Sequence, residues 1–437
     1  MPYQQGNRLP GERASRLGHL DVLKSELVNK FVKGFEDRVV EEKTSTLPWS
    51  AIPSDGKILP IVFGVDGSVQ TVVSETPPYK ALAFVKTALL RLDQNALASV
   101  DRETPHPLVL RDILEGSALY HATVFPLRNV SVSGMSLYDA IRKSIFESVK
   151  DASLNGELFE TLKWIVYKKW NESVKEGLPR FGCPHCEQEV ATLPYDGETG
   201  NCPSCKGELF LTDMLGFHQE MAPDDASDSL GTSYMSINET LLLFTGIRYF
   251  WQTNKGTLSK CLFVKDGPLS IRAQYSKLVE PIRNFLEFAK KEGVNVHILG
   301  QEKSGRFYEH LQLIGANAPE GTFFLPGNRY IKEKIQNRPD QGAPYGKDTN
   351  YGAKLFVKLS SYHQMVLNVP TGQFNADPAI DDLIGIKDIF ASLPSILGNR
   401  HEGSLLPVEL AHGVASLSTY PSAHILKIFA DTNGNHK

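Results

Sequence analysis

The stretch that decides the fold runs from Ile61 to Ser68 and reads IVFGVDGS. A run of apolar and β-branched residues is typical of a buried strand, and here it stops at an Asp-Gly pair. The same pattern returns in CLFVKDGPL, residues 261–269. Asp-Gly is the commonest two-residue hairpin signal, so each pair can be an ordinary turn. The alternative is that Asp66 and Asp266 are carboxylates held at strand ends, at the rim of a sheet, where they bind a ligand.

The spacing of apolar residues extends this pattern along the chain. Strands are predicted at residues 58–65, 69–74, 81–92, 121–130, 261–266, 294–299 and 322–325, and within 354–369. Helices are predicted at residues 15–44, throughout 136–176, and at 237–252, 275–292, 307–314, 379–393 and 404–418. The first strands form a meander and the later ones alternate with helices, which predicts an α/β protein.

The composition places limits on the function. The 437 residues are enough for two or three domains, or for one large domain with insertions. A net charge of −4 excludes a basic coat for nucleic acid over the whole surface, so any anion-binding surface must be local. No apolar run is long enough to span a membrane, and the polar N-terminal segment lacks the core of a signal peptide. These features predict a cytoplasmic protein.

Four of the five cysteines form a CxxC-x15-CxxC pattern. The pairs are Cys183 with Cys186 and Cys202 with Cys205. Two thiolate pairs at this spacing supply the tetrahedral sulfur ligands that Zn²⁺ prefers, and four cysteines leave no open position on the metal. We therefore expect a structural zinc ribbon rather than a redox disulfide or an iron site. Cys261 lies in a strand and is expected to be a core residue.

A third carboxylate lies between the two strand-Asp-Gly elements, in SINETLLLFTGIRYFW. Glu239 is near the start of this apolar helix, which leads directly into the second strand, so a helix packed on the sheet can aim it at the same rim. Three carboxylates there are hard ligands for Mg²⁺ or Mn²⁺. Two such ions activate water and stabilise the leaving oxygen in phosphodiester hydrolysis. Alternatively, Glu239 is a helix-start glutamate favoured by the helix dipole.

Six short motifs, taken in order, carry a resemblance to a known family. They are VFGVDGS at residues 62–68, NETLLLF at 238–244, LFVKDGPL at 262–269, LGQEKS at 299–304, KLFVKL at 354–359 and LPVELAHGVA at 406–415. In this order the sequence resembles NurA, a nuclease family with an RNase H-like core that works with the hexameric DNA translocase HerA. The resemblance covers roughly residues 58–420, with an interruption.

The resemblance implies roles for individual residues. Asp66 and Asp266 match the strand-end metal ligands, and Glu239 is assigned as the helix carboxylate. His412 matches a late histidine that ligates the second metal ion or transfers a proton to the leaving oxygen. Lys303 matches a lysine that holds a phosphate. Without the resemblance, His412 is an ordinary helix histidine with a polar partner and Lys303 is a surface lysine.

Residues 136–215 depart from the compact form of this family. This helical and zinc-ribbon insertion could clamp DNA, contact the translocase or sense a signal. Its lysine-rich part, residues 163–175, is interpreted as a basic helix that suits a phosphate track or is merely a solvated face. Asp213, in LFLTDMLGFH, also follows an apolar run and is an alternative third carboxylate, with His218 nearby.

The sequence thus predicts an α/β protein with an RNase H-like mixed β-sheet core flanked by helices. Its parts are an N-terminal helical segment (1–57), the first part of the core (58–135), the insertion (136–215) and the second part of the core with C-terminal helices (216–437).

The resemblance implies a Mn²⁺- or Mg²⁺-dependent DNA exonuclease or endonuclease. It is expected to be a homodimer that acts with a HerA-like hexameric ATPase in DNA end processing or anti-phage defence. One rival hypothesis is a non-catalytic adaptor that binds DNA and regulates the translocase through its zinc ribbon. Another is an Argonaute-type slicer, for which the sequence shows no guide-binding segment.

Overall fold

A computed structural model describes residues 18–35, 47–75, 77–93, 118–132, 134–222, 225–398, 402–418 and 421–433. By its contacts the chain divides into two units, Met1–Thr46 and Leu47–Lys437. The described part of the first unit holds helices α1 (Gly18–Lys24) and α2 (Glu26–Lys33). These helices fall within the segment predicted as helical at residues 15–44, of which residues 15–17 and 36–44 lie outside the described residues.

Strands of the second unit build one large mixed sheet and a small ribbon. The described strands are β1 (Ser50–Ala51), β2 (Ile61–Val73), β3 (Ala81–Asp93), β4 (Ala118–Arg128), β5 (Thr199–Asn201), β6 (Glu208–Phe210), β7 (Cys261–Asp266), β8 (His297–Glu302), β9 (Thr322–Phe324), β10 (Ala353–Lys358) and β11 (Gln364–Val369). The order across the large sheet is β1-β9-β10-β11-β8-β7-β2-β3-β4, and β5 pairs with β6 in the ribbon.

The centre of the large sheet has the strand arrangement of an RNase H-like core. Strands β2, β3 and β4 form an antiparallel meander, and β7 and β8 run parallel to β2. Strands β2 and β7 are parallel neighbours, and parallel neighbours need a crossover connection. A long helix in the segment between β4 and β7 forms part of that connection. The predicted fold class, an RNase H-like mixed sheet flanked by helices, is confirmed.

Helices of the second unit cover both faces of the sheet. They are α3 (Leu137–Val149), α4 (Glu157–Val166), α5 (Ser229–Thr253), α6 (Lys255–Leu258), α7 (Val279–Lys291), α8 (Arg306–Gly315), α9 (Asn328–Tyr330), α10 (Ile386–Ile396), α11 (Leu406–Ala415) and α12 (Ser422–Asn433). Phe63 and Val65 of β2 share one core cluster with α5, while Val62 packs in another with α10 and α11. Side chains alternate along a strand, so consecutive residues of β2 serve opposite faces.

The first Asp-Gly pair does not form a turn. The predicted strands 58–65 and 69–74 are one continuous strand, β2, and the Asp66–Gly67 pair lies in its interior. The reason is the partner strand, because β3 pairs with β2 over its whole length, including Asp66 with Ala88 and Gly67 with Thr87. By contrast, Asp266 does end its strand, and Gly267 follows with a φ of +82°.

One expectation about the helices was wrong, and one helix was not predicted. Residues 136–176 are not helical throughout, because left-handed backbone at Asn155 and Gly156 separates α3 from α4. Helix α12, which lies after the last predicted helix, was not foreseen. None of the helices in the described part of the chain is both long enough and apolar enough to cross a membrane.

The insertion packs into the same core as the sheet. Trp164 of α4 contacts Phe285 of α7, with the ring centroids 4.6 Å apart. Thr161 of α4 and Thr245 of α5 are joined by a hydrogen bond of 2.9 Å between their hydroxyl oxygens. The first contact attaches the insertion to α7, and the second attaches it to α5, the helix that carries Glu239.

Candidate active site

Strand register brings Asp66 and Asp266 together. Strands β2 and β7 pair in parallel from Ile61 with Cys261 to Val65 with Lys265, so the two aspartates directly follow the last pair. Residues at equivalent positions of in-register parallel strands point to the same face, and neighbouring strands lie about 4.8 Å apart. Asp66 is buried, with 3% of its surface exposed, whereas the Asp266 side chain is about one-third exposed. The two carboxylates therefore belong to one site, at the point where β7 ends.

His412 approaches Asp66 from the helix on this face. His412 Nδ1 lies 2.9 Å from Asp66 Oδ2, and the Gly67 backbone N–H donates to Asp66 Oδ1 at 2.7 Å. The helix can come this close because β2 has a glycine beneath it. A Cβ on Gly64 would lie 2.2 Å from the backbone oxygen of Pro407, in the first turn of α11.

Glu239 reaches the site from the opposite face of the sheet, over Gly67. A Cβ on Gly67 would lie 2.8 Å from Glu239 Oε1 and 2.5 Å from Met235 Cγ. The glycine after Asp66 is therefore needed for the close approach of Glu239 and not for a turn. This gives the Asp-Gly sequence a physical reason different from the hairpin interpretation.

A buried lysine holds Glu239 in place. Lys265 Nζ donates to Glu239 Oε2 at 2.7 Å and to the backbone oxygen of Asp266 at 2.8 Å. Both side chains are almost fully buried, with 3% of the Lys265 side chain and 5% of the Glu239 side chain exposed. Sequence reasoning missed Lys265, although a lysine inside the apolar run CLFVKDG was a usable signal.

All five residues predicted for the active site line one cleft of about 600 Å³. They are Asp66, Glu239, Asp266, Lys303 and His412. Lys303 Nζ lies 3.0 Å from Asp266 Oδ1, and the Lys303 side chain is 40% exposed at the cleft. The cleft also contains Gln301, Arg272 and Tyr275, which the sequence interpretation did not single out. The catalytic or binding roles of the five predicted residues stay predictions.

Burial and the neighbouring carboxylates raise the affinity of Asp66 and Glu239 for protons. The pKa of Asp66 rises from 3.8 to about 7 because the side chain is buried and because Asp266 and Glu239 repel its charge; the Gly67 N–H and His412 oppose the rise. Burial also raises the pKa of Glu239, against the attraction of Lys265. Like charges that share a site relieve their repulsion by binding a proton or a cation.

The oxygen donors of the cleft fit a hard divalent cation such as Mg²⁺ or Mn²⁺. They are not gathered as closely as in a ready-made site: among the described residues, the only group of three or more His, Cys, Asp and Glu side chains with all ligand atoms within 4.8 Å is the cysteine group. Lys265 and Lys303 lie against Glu239 and Asp266, where a cation would compete with them.

The four cysteines form a compact cluster that fits zinc. Their sulfur atoms all lie within 4.8 Å of one another, with Cys183 Sγ 3.7 Å from Cys205 Sγ and Cys186 Sγ 3.9 Å from Cys202 Sγ. A tetrahedral ion with metal–sulfur bonds of about 2.3 Å requires sulfur separations of about 3.8 Å. The cluster therefore has the spacing of a closed structural zinc site.

Asp213 is placed away from the cleft. Its carboxylate accepts from Arg142 Nε at 2.9 Å and from a terminal guanidinium nitrogen of Arg142 at 2.8 Å, and both side chains are buried. Asp213 is not among the described residues that line the cleft, whereas Glu239 is. His218 likewise lies in a different groove, beside Cys183. The Asp213–Arg142 pair attaches the ribbon to α3.

The lysine-rich segment 163–175 is not a basic helix. Helix α4 ends at Val166, and Lys163 is buried. Asp196 Oδ1 lies 2.9 Å from Lys163 Nζ and 2.6 Å from Lys169 Nζ, and Lys168 pairs with Glu176 at 3.5 Å. Because these ammonium groups are paired within the protein, the interpretation as a phosphate track is not supported.

The ribbon segment also supports one wall of the cleft. Phe217, just beyond the ribbon, packs against Tyr275 with ring centroids 4.9 Å apart, and Tyr275 lines the cleft. A Cβ on Gly216 would lie 2.4 Å from the backbone oxygen of Gln274. This close packing connects the fold of the ribbon to the shape of the cleft.

Comparison with known proteins gives little further identification. No protein-family model and no curated protein matches the sequence. Among solved structures, one described as "Crystal structure of NurA" matches with 11% sequence identity and a TM-score of 0.30, over 96% of this chain and 98% of the other. Similarity at this level does not assign the chain to a family.

Proposed function

We propose that the protein is a divalent-metal-dependent DNA nuclease that hydrolyses phosphodiester bonds in the cleft. The observation that supports this most strongly is the in-register pair Asp66 and Asp266, joined in one cleft by Glu239 from the opposite face and His412 from α11. The order of the six sequence motifs supports DNA as the substrate. The proposal covers exonuclease activity, endonuclease activity or both.

Each residue has a defined part in this reaction. Asp66, Asp266 and Glu239 would hold the metal ions, which would supply an activated water and stabilise the leaving oxygen. His412 uses Nδ1 to contact Asp66, so its other ring nitrogen, Nε2, exchanges a proton with the leaving oxygen. Lys303 and Arg272, both substantially exposed, attract the phosphate groups of the DNA backbone.

The proposed partner is a HerA-like hexameric ATPase that feeds DNA to a homodimer of this chain. The net charge of −4 agrees with this arrangement, since a translocating partner reduces the need for a basic surface on the nuclease. The biological role would be DNA end processing or defence against phage DNA.

A cleavage assay tests the proposed function. End-labelled linear DNA is incubated with the zinc-loaded protein, with no added metal, Mg²⁺ or Mn²⁺, and with and without the cognate ATPase. We expect metal-dependent degradation by the wild type, and a loss of at least about a hundredfold in Asp66→Asn, the size of effect known for removing one key charge-stabilising group. Asp381→Asn, which changes an exposed aspartate, is the matched control and should cleave like the wild type.

The second candidate function is a non-catalytic adaptor of the translocase. It is favoured because the ligand atoms of the three carboxylates do not all lie within 4.8 Å of one another, and because Glu239 and Asp266 are each paired with a lysine. This hypothesis predicts no cleavage under any of these conditions. It also predicts that stimulation of the ATPase survives Asp66→Asn but is lost when Cys183 and Cys202 are replaced by serine.

A further inference from the structure

Gln301 continues the row of side chains formed by Asp66 and Asp266. Strand β8 pairs in parallel with β7, and Asp266 lies opposite Gln301 in this register. Leu299, two residues earlier on β8, packs in the same core cluster as Leu262 and Val264 of β7. Because side chains two residues apart point to one face, Gln301 lies on the face that carries the two aspartates. Three neighbouring strands thus place Asp66, Asp266 and Gln301 side by side.

The orientation of the Gln301 amide is fixed by its contact with Gly403. Gln301 Nε2 donates a hydrogen bond to the backbone oxygen of Gly403. A carbonyl oxygen accepts hydrogen bonds and cannot donate them, so the amide nitrogen must face Gly403. The amide oxygen, Oε1, is therefore turned away from Gly403.

Gln301 Oε1 is a buried acceptor whose hydrogen-bonding capacity is not used within the described residues. Gln301 is 1% exposed and lines the cleft, and its Oε1 has no hydrogen-bond partner in the part of the chain that the structure describes. Leaving such a group buried without a partner costs free energy, and proteins avoid it unless a ligand or water completes the site. The position next to Asp266 indicates which ligand this is.

We propose that Gln301 Oε1 is a neutral oxygen ligand for a divalent cation bound between Asp66 and Asp266; this inference rests on the proposed function. Amide oxygens are accepted ligands of hard cations. A neutral donor also suits this position, because a fourth carboxylate would add to the repulsion that Asp66 already experiences from Asp266 and Glu239. Gln301 is thus expected to strengthen metal binding without adding charge.

The test is a Mn²⁺ titration followed by electron paramagnetic resonance, which reports free Mn²⁺ independently of cleavage. The full-length protein is loaded with zinc first, so that the cysteine cluster is filled. Gln301→Met keeps the length of the side chain but removes the oxygen, and we expect it to weaken Mn²⁺ binding by about tenfold or more. Gln364→Met is the matched control: Gln364 lies on the neighbouring strand β11, its Oε1 also has no hydrogen-bond partner among the described residues, and it is not one of the described residues that line the cleft. This variant should bind like the wild type.

The outcomes separate this inference from the proposed function. If Asp66→Asn abolishes Mn²⁺ binding but Gln301→Met binds like the wild type, the metal site stands and the role of Gln301 is refuted. If the wild type binds no Mn²⁺ in the cleft, both proposals fail. Should Gln301→Met not fold, Gln301→Glu decides, because it retains an oxygen ligand: binding at least as tight as the wild type supports the inference, and weaker binding overturns it.

Discussion

Asp66 and Asp266 are far apart in sequence, yet they occupy adjacent, in-register positions on parallel strands and face the same side of the sheet. This relationship follows from the pairing of β2 with β7 and does not depend on any loop. A site built on two paired strands is held more rigidly than one built on loops. It also forces two negative charges together, and the first prediction below follows from that repulsion.

The first prediction concerns stability and pH. Burial and the neighbouring carboxylates raise the pKa of Asp66 to about 7, so the folded state binds this proton more tightly than the unfolded state. The contribution to stability is complete below about pH 4 and is lost as the pH rises through 7. Asp66→Asn removes the cost of keeping a charged carboxylate buried at this position. At about pH 8 the variant should be more stable than the wild type by up to ~4 kcal/mol.

Urea denaturation of the zinc-loaded protein, without other metals, measures this difference. The advantage of Asp66→Asn should shrink as the pH falls to about 5. Adding Mn²⁺ at the higher pH should stabilise the wild type and leave Asp66→Asn unchanged. A variant that is equally destabilised at both pH values would show that the raised pKa of Asp66 has no influence on folding.

The second prediction concerns the buried ion pair of Lys265 and Glu239. Lys265→Met leaves the Glu239 carboxylate buried without its partner, and we expect a loss of ~3–5 kcal/mol in the free energy of unfolding. The double variant Lys265→Met with Glu239→Gln should recover a large part of the loss, because the uncompensated charge is gone. A double-mutant cycle in urea measures this coupling.

The exposed pair of Lys387 and Asp55 provides the control for this cycle, since solvent screens surface pairs. Lys387→Met should change stability very little. Additive effects of the Lys265 and Glu239 substitutions would contradict the pairing seen in the cleft.

The third prediction concerns Gly67. Its backbone is ordinary strand, so alanine meets no conformational penalty there, but the added methyl group collides with Glu239 and Met235. Gly67→Ala should cost ~1–3 kcal/mol of stability, as overpacking does, and should reduce cleavage by displacing Glu239. Gly413→Ala is the control: its Cβ meets nothing within 4 Å, and alanine favours the helix. Equal stability of the two variants would show that Glu239 does not need the space above Gly67.

The fourth prediction concerns the cysteine cluster. The zinc-loaded protein should contain one Zn²⁺ per chain by elemental analysis, since four thiolates close one tetrahedral site. Replacing the two buried ligands, Cys183 and Cys202, by serine should abolish zinc binding and lower the thermal midpoint. Cleavage should also fall, because Phe217 no longer supports Tyr275 in the cleft wall.

Cys261→Ser separates the cluster from the general effect of losing a cysteine. Cys261 lies in β7 and its sulfur contacts the backbone oxygen of Thr257, away from the ribbon. This variant should retain full zinc content. Zinc that remains bound after the double substitution would refute the assignment of the ligands.

The sequence predicted the parts of the site that depend on local pattern and chain order. Apolar runs identified β2 and β7, and the cysteine spacing identified the cluster. The continuous strand through Asp66 was missed because the partner strand β3, rather than the Asp-Gly pair itself, determines the backbone conformation there. Long-range pairing of this kind is not visible in a local pattern.

The contacts of buried polar and charged side chains could not be predicted from the sequence either. Lys265 and Gln301 lie within quoted motifs, but their orientation depends on the contacts with Glu239 and Gly403. In the same way, the sequence around Asp213 is typical of a strand-end ligand, but in the structure Asp213 pairs with Arg142 beside the ribbon. The lysines near residue 163 predict a basic surface, but in the structure acidic side chains of the ribbon segment pair with them.

The most direct test of the central claim is a crystal structure of the zinc-loaded protein soaked in Mn²⁺, with anomalous diffraction data collected at the manganese and zinc absorption edges. The zinc signal in the cysteine cluster serves as an internal control. The proposed site predicts a manganese peak between the carboxylates of Asp66 and Asp266, within coordination distance of both. A clear zinc peak without manganese at this position would contradict the proposed catalytic site.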